Sequence, residues 1–147
     1  MHIKKIFILS FILTLIISSS FAQGFFITDW KGSTNGGSAN PKWLTKMVDK
    51  NNYKFCRKEF DISNEYMVFY TIGESGDLDI AEQKAKHLAL QKLLEETGNQ
   101  EELTEINNLV KVTTFWQKLE TKDKRKKYIV YNVYKIPYEV YDELKQD

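Results

Sequence analysis

The pattern of apolar and polar positions is clearest in residues 77–97, where apolar side chains recur every three or four residues. That spacing places them on one stripe of a helix with 3.6 residues per turn. Asp79 with Glu82 three residues later has capping-box spacing, and Gly98 is placed to end the helix. The sequence therefore predicts a long amphipathic helix. Its predicted buried stripe consists of Leu78, Ala81, Ala85, Leu88, Ala89 and Leu93.

Runs rich in aromatic and β-branched residues on both sides of this helix predict strands. A strong strand is expected over residues 65–73, and two more over 109–119 and 128–136. The charged residues 120–127 between the last two predict a turn, so these strands pair as an antiparallel hairpin. Residues 53–60 alternate weakly and predict a further strand.

Two prolines predict short helices, because proline suits the first turn of a helix. Pro41 precedes a segment that reaches about Lys50, in which Trp43, Met47 and Leu44 are expected to face inward. Pro137 precedes a terminal helix over residues 138–145. The predicted fold class is α+β with two layers. One long amphipathic helix packs on a three- to four-stranded antiparallel sheet, with short N- and C-terminal helices.

The first 22 residues predict an export signal. Lys4 and Lys5 precede an apolar run over residues 6–17 that is short for a membrane span, and small residues stand at the cleavage position. We expect cleavage near Ala22-Gln23 and a periplasmic or secreted protein; an uncleaved anchor is the alternative. Gln23, and not a cysteine, stands directly after the cleavage position, so no lipid anchor is expected.

The rest of the chain divides into two predicted parts. Residues 23–40 end in glycine, serine and asparagine and predict a flexible arm or linker, which Phe25, Phe26 and Trp30 could dock onto the body. Residues 41–147 are long enough for a single α+β domain with one core. A short helical turn near Leu103 and Ile106 is expected in the polar stretch 100–108.

Charge argues against nucleic-acid binding. Removal of the signal takes two of the 21 basic residues and no acid, which leaves 19 basic against 20 acidic residues. Nucleic-acid binding needs a clear basic excess. Cys56 is the only cysteine in the sequence, so an internal disulfide is excluded.

The residue types for common catalytic sites are few. With His2 in the signal, His87 is the only mature histidine, and one histidine with one cysteine does not supply the usual zinc ligands. Cys56 is either a buried structural cysteine, which is the commoner case, or the nucleophile of a Cys56–His87 pair. Acids cluster at Glu74, Asp77 and Asp79, where helix capping explains them. No catalytic residue, metal or cofactor is predicted.

Two surfaces are candidates for binding. One is the basic run at the hairpin turn, which is either a solvated turn or a site for an anionic membrane, a glycan or an acidic protein. It comprises Lys122, Lys124, Arg125, Lys126 and Lys127. The other is the helix face away from the alanine row. It is either covered or made of scattered surface residues, or it is an interface with an envelope protein or a second copy. The residues of this face are Ile80, Gln83, His87, Leu90 and Leu94, and the predicted interface residues are Ile80, His87, Leu90 and Leu94.

Short motifs over residues 41–141 give the chain a family resemblance. They are Pro41-Lys42-Trp43-Leu44, the strand end Phe69-Tyr70-Thr71-Ile72-Gly73, Leu78-Asp79-Ile80-Ala81 with Ala85 and Leu88-Ala89-Leu90, Trp116, and the strand that closes at Pro137. The chain resembles the Lpp-twenty family of small bacterial envelope lipoproteins. The resemblance implies an exported envelope protein with a helix-on-sheet domain and no established enzymatic activity. The chain departs from that family in lacking the lipidated cysteine, which favours a soluble periplasmic or secreted form.

Together these observations predict a non-catalytic exported cell-envelope protein, a binding or assembly module of the periplasm or outer envelope. The alternative is a secreted hydrolase that uses carboxylates and so needs neither histidine nor cysteine.

Overall fold

The structure is a computed structural model that describes residues 24–32, 38–98, 106 and 108–145. The predicted signal, most of the polar stretch 100–108 and residues 33–37 of the predicted arm lie outside the described residues. The elements in chain order are β1 (Phe26–Lys31), α1 (Lys42–Lys50), α2 (Lys54–Glu59), β2 (Tyr66–Ser75), α3 (Leu78–Thr97), β3 (Val110–Glu120), β4 (Lys126–Pro137) and α4 (Tyr138–Leu144).

The four strands form one antiparallel sheet in the order β1-β3-β4-β2. The α3 helix connects β2 to β3, and because β4 lies between those strands the helix crosses the sheet above it. The predicted hairpin is confirmed: β3 pairs with β4 around a turn at residues 121–125. The α+β class is confirmed, with one long helix on an antiparallel sheet and short helices near both ends.

The α3 layer packs closely because both surfaces are small at the contact. Ala81, Ala85 and Ala89 are at most 1% exposed, as the sequence predicts. Beneath them lies Gly73 of β2, where an added Cβ would stand 1.9 Å from the carbonyl oxygen of Ala81. The Thr71 hydroxyl of β2 donates to the Ala85 carbonyl at 2.6 Å. The helix therefore rests almost directly on the strand backbone.

The ends of α3 confirm one sequence signal and correct another. Gly98 takes the left-handed conformation at φ 69°, as predicted. The N-terminal cap is Asp77 and not Asp79, because the backbone N–H of Ile80 donates to the Asp77 carboxylate at 3.1 Å. A cap residue accepts from the third helical N–H, and Asp79 already lies inside the first turn.

Leu88 corrects the predicted buried stripe. It is 39% exposed, while Leu93 is fully buried. At 100° per residue, Leu88 stands about 60° around the helix from the centre of the alanine row. It therefore lies at the margin of the contact with the sheet.

The predicted fold has two layers, one of helix and one of sheet. The structure has a third, because α1 and α2 form a helical layer on the opposite face of the sheet. The α1 and α2 helices bury Trp43, Leu44, Met47 and Cys56 against Phe115 of β3. The Trp43 ring meets the Phe115 ring edge to face, with centroids 6.1 Å apart. The predicted inward residues of α1 are confirmed, and α1 ends at Asn51 in the left-handed conformation.

The strand predicted over residues 53–60 is wrong, because Lys54–Glu59 forms α2. The Asn52 side chain accepts the Lys54 backbone N–H at 3.0 Å and so begins the helix. In a helix, Tyr53, Cys56 and Phe60 share one side, and all three contact the same core cluster. Burial of this side outweighs the weak alternation.

The predicted arm also differs in the structure, because Phe26–Lys31 forms β1 at the edge of the sheet. It pairs antiparallel with β3, with a register shift between Ile27 and Asp29. Phe26 and Trp30 remain 50% and 39% exposed. These aromatics therefore join the sheet through backbone pairing and do not dock over the long helix.

Candidate binding surface

The structure places Cys56 and His87 on opposite sides of the sheet. Cys56 is fully buried under α1, and burial raises the pKa of its thiol to about 11. His87 is exposed on α3. A thiol in this setting is protonated at neutral pH and lacks a nearby histidine base, so the nucleophile pair weighed from the sequence is not assembled.

Cys56 is therefore expected to resist alkylation in the native protein. At pH 8, iodoacetamide should label less than about a tenth of Cys56 in the time that labels all of it in 6 M guanidinium, because both burial and protonation suppress the thiolate. Intact-mass spectrometry measures the labelled fraction. Equal labelling rates in the two conditions would contradict the buried assignment.

The acids before α3 have structural partners. The Asp77 carboxylate caps the helix, and Glu74 Oε2 lies 3.6 Å from Lys127 Nζ. Across the described residues, no three histidine, cysteine or acidic side chains come together in a group that could hold a metal ion.

The basic run at the hairpin turn is partly paired within the protein. Arg125 Nε lies 3.0 Å from Asp123 Oδ2, and a hydrogen bond from the Thr121 hydroxyl lowers the pKa of the Asp123 carboxyl. Lys127 pairs with Glu74 and lies 4.8 Å from the Phe25 ring centroid. Lys122, Lys124 and Lys126 are exposed. Pairing with Asp123 and Glu74 thus reduces the positive charge that the cluster offers to a partner. Its use as an anion site stays a prediction.

The predicted interface on α3 does not form one surface. Ile80 is 48% exposed and His87 is exposed, whereas Leu90 and Leu94 are half-buried. Leu90 packs against the cluster that contains Phe69 and Ile106. Because these four residues divide between solvent and the core margin, they do not make a continuous apolar patch.

A surface that the sequence analysis did not identify lies at the edge of the sheet. In the described part of the chain, β2 pairs with β4 and no strand covers its other, outer edge. Its register with β4 is uninterrupted over ten residues. The other edge strand, β1, is shorter and carries a register shift, which weakens an edge as a pairing template.

The antiparallel ladder determines which backbone groups of β2 face outward. The Tyr138 N–H donates to the Glu65 carbonyl at 3.0 Å, so Glu65 faces inward, and alternate residues then face inward and outward. Tyr66 therefore faces outward, which agrees with its partner Pro137 having no N–H to donate. The outward backbone groups are those of Tyr66, Val68, Tyr70, Ile72 and Glu74.

Two side chains close the ends of this outer edge. Arg57 Nη2 donates to the Tyr66 carbonyl at 2.8 Å, and Lys84 Nζ donates to the Glu74 carbonyl at 3.0 Å. Between them, no described residue bonds to the outward N–H and C=O groups of Val68, Tyr70 and Ile72. Among the described residues, an open window of three residues therefore remains between these two cations.

The α3 helix forms a wall beside this window. Two adjoining recesses of ≈ 510 Å³ and ≈ 300 Å³ lie between β2 and α3, and both are lined by Leu88. We call them together the edge groove. Its other lining residues are residues 70–74 of β2 and, from α3, Lys84, His87, Gln91, Lys92 and Glu95. Of the four predicted interface residues, His87 lines the groove.

Most charges around the edge groove have partners in the protein. Lys84 donates to the Glu74 carbonyl, and Lys92 Nζ lies 4.0 Å from Glu96 Oε1. Glu74 pairs with Lys127, and Gln91 donates to the Glu95 carboxylate at 2.9 Å. The groove therefore offers backbone hydrogen bonds and the apolar Leu88 side chain, without a strong excess of either charge.

Comparison with protein-family models, curated proteins and solved structures finds no match for this chain. The resemblance to the Lpp-twenty family stays a prediction. Among the described residues, no helix is both long and apolar enough to cross a membrane.

Proposed function

We propose that this chain is an exported, non-catalytic cell-envelope protein that binds or assembles with other envelope proteins. The edge groove is the observation that carries the binding role: it combines an open strand edge, a helical wall and the exposed Leu88. Open strand edges are sites at which proteins recognise other chains.

Two further observations support the proposal. The N-terminal sequence has the charge, length and small residues of a cleaved signal. The cysteine and histidine of the mature chain lie on opposite sides of the sheet, with the thiol buried. At the groove, Glu74 pairs with Lys127, and Lys92 lies 4.0 Å from Glu96.

The proposal is tested by fractionation and crosslinking in a bacterial host that exports the full chain. We expect the protein in the envelope fraction, shortened by about the 22 residues of the signal. Formaldehyde crosslinking should then give discrete adducts with envelope proteins, and a purified adduct partner should bind the purified protein in analytical ultracentrifugation. Retention in the cytoplasm, or purified candidates that do not bind, would overturn it.

A further inference from the structure

We propose that the edge groove binds an extended, uncharged segment of another polypeptide, which adds as a fifth strand antiparallel to β2. This inference rests on the proposed function and names the chemical class of its partner. The window at Val68, Tyr70 and Ile72 supplies one outward N–H and one outward C=O at each residue. A strand is the ligand that pairs with all of these groups at once.

The two bounding cations limit the length of the added strand. The Tyr66 and Glu74 carbonyls already accept hydrogen bonds from Arg57 and Lys84. Pairing is therefore confined to about five residues of the partner, opposite residues 68–72 of β2. A short paired segment of this kind suits a reversible contact better than an extended sheet.

The α3 wall gives the groove a side-chain preference. Residues of the segment opposite Val68, Tyr70 and Ile72 direct their side chains to the face of the sheet that carries α1 and α2. The residue opposite Thr71 directs its side chain to the α3 face, where Leu88 lines both recesses. An aliphatic side chain at that position buries apolar surface against Leu88.

The same wall argues against a second copy of this chain as the occupant. Symmetric pairing of two β2 edges would bring the strands about 4.8 Å apart. Each copy would also bring its own α3 flank to that edge, and a helix with its side chains is about 10–12 Å wide. A single strand from a partner fits beside the helix, whereas two helices compete for the same space.

Charge decides between an acidic, a basic and a neutral segment. Lys84, Lys92 and Glu74, which border the groove, each have a partner within the protein. Lys84 and Lys92 stand beside Glu74 and Glu95 at the groove, so an acidic or a basic segment would meet charges of both signs and gain little from either. The groove therefore favours a neutral segment of β-branched and aliphatic residues.

Hydrogen exchange checks the geometry before any ligand is added. In the free protein, the amides of Val68, Tyr70 and Ile72 should exchange much faster than those of Phe69, Thr71 and Gly73, which face β4. Equal protection of the two sets would show that the outer edge is already covered, and would overturn the proposal.

The probe is a phage-displayed library of random twelve-residue peptides, selected on the purified protein. We expect enriched neutral peptides rich in valine, isoleucine and leucine. A synthetic enriched peptide should slow exchange at Val68, Tyr70 and Ile72. N-methylation at its pairing residues should abolish binding, while N-methylation at the residue facing Leu88 should leave it, because that N–H points away from β2.

Two matched variants of α3 test whether the peptide binds beside Leu88. Leu88→Glu should weaken binding by roughly tenfold or more, because it removes the apolar wall. Ile80→Glu changes a residue of similar exposure about two turns nearer the start of the helix, where it does not line the groove, and should alter affinity by less than about twofold. Circular dichroism confirms that both variants are folded.

The proposal is overturned if no peptide is enriched, if peptides bind Leu88→Glu as well as the parent, or if dimer formation is what protects the edge. Envelope partners that bind the parent and Leu88→Glu equally, with unchanged exchange at Val68, Tyr70 and Ile72, would remove strand addition alone. The proposed function would then stand. Failure of export or of all envelope binding removes the function itself.

Discussion

Replacing Gly73 by alanine is expected to lower the free energy of unfolding by roughly 3 kcal/mol, although it adds a single methyl group. The new Cβ would lie 1.9 Å from the Ala81 carbonyl oxygen and 2.7 Å from the Ala85 nitrogen. Both atoms belong to the α3 backbone, which has no rotamer to change, so the helix must move away from the sheet. Urea unfolding followed by circular dichroism measures the loss.

Gly76→Ala is the matched control for this prediction. Three residues further along the chain, an added Cβ would meet only the Lys126 carbonyl oxygen at 3.8 Å, an ordinary contact. We expect a change within about 0.5 kcal/mol. If the two variants are equally stable, α3 does not lie on the backbone of β2 as the structure places it.

The helix-on-sheet contact could be predicted because its signals are local. Three alanines at four-residue spacing mark a side of the helix that approaches its neighbour closely, whatever that neighbour is. Gly98 and Pro137 likewise mark helix boundaries through their own backbone preferences. In each case a stretch of a few residues is enough to predict the local structure.

The missed elements depended on competing local signals. The Gly, Ser and Asn residues after Gly32 suggested an arm, and they obscured the six-residue strand β1 before them. The α2 helix also has six residues, too few to show a helical period against a weak alternation. Its burial under α1 is a tertiary effect that no short window of sequence contains.

The edge groove could not be predicted from the chain, because it depends on strand order. The sequence identifies β2 as a strong strand, but only the order β1-β3-β4-β2 leaves that strand at an edge. Leu88 was assigned to the core for a related reason: the helical pattern shows which residues share a side, not how far the sheet extends beneath them. Since β2 ends the sheet, the margin of the helix overhangs an open edge.

This arrangement connects the stability of the fold with the geometry of the edge groove. The close contact of Gly73 with the alanine row brings α3 down onto β2, and so brings Leu88 beside the outer backbone groups of that strand. If the helix lay further from the sheet, Leu88 would not reach the edge of β2 and the groove would not form. Gly73 and Ala85 are therefore expected to affect the groove as well as the fold.

Ala85→Glu is expected to lower the free energy of unfolding by roughly 3–5 kcal/mol at pH 7. Ala85 is fully buried, and its carbonyl accepts the Thr71 hydroxyl, so a glutamate there would hold an unpaired charge against the sheet. Burial raises the pKa of such a carboxyl above its value in the unfolded chain, so the native state binds the proton more tightly. The loss should therefore shrink as the pH falls toward about 4.

Gln83→Glu introduces the same side chain two residues away at an exposed position of the same helix. It should change the free energy of unfolding by less than about 0.5 kcal/mol, with little dependence on pH. Urea unfolding of both variants at pH 7 and near pH 4.5 makes the comparison. Similar small losses at the two positions would mean that the alanine row does not face the sheet, and the groove beside it would lose its helical wall.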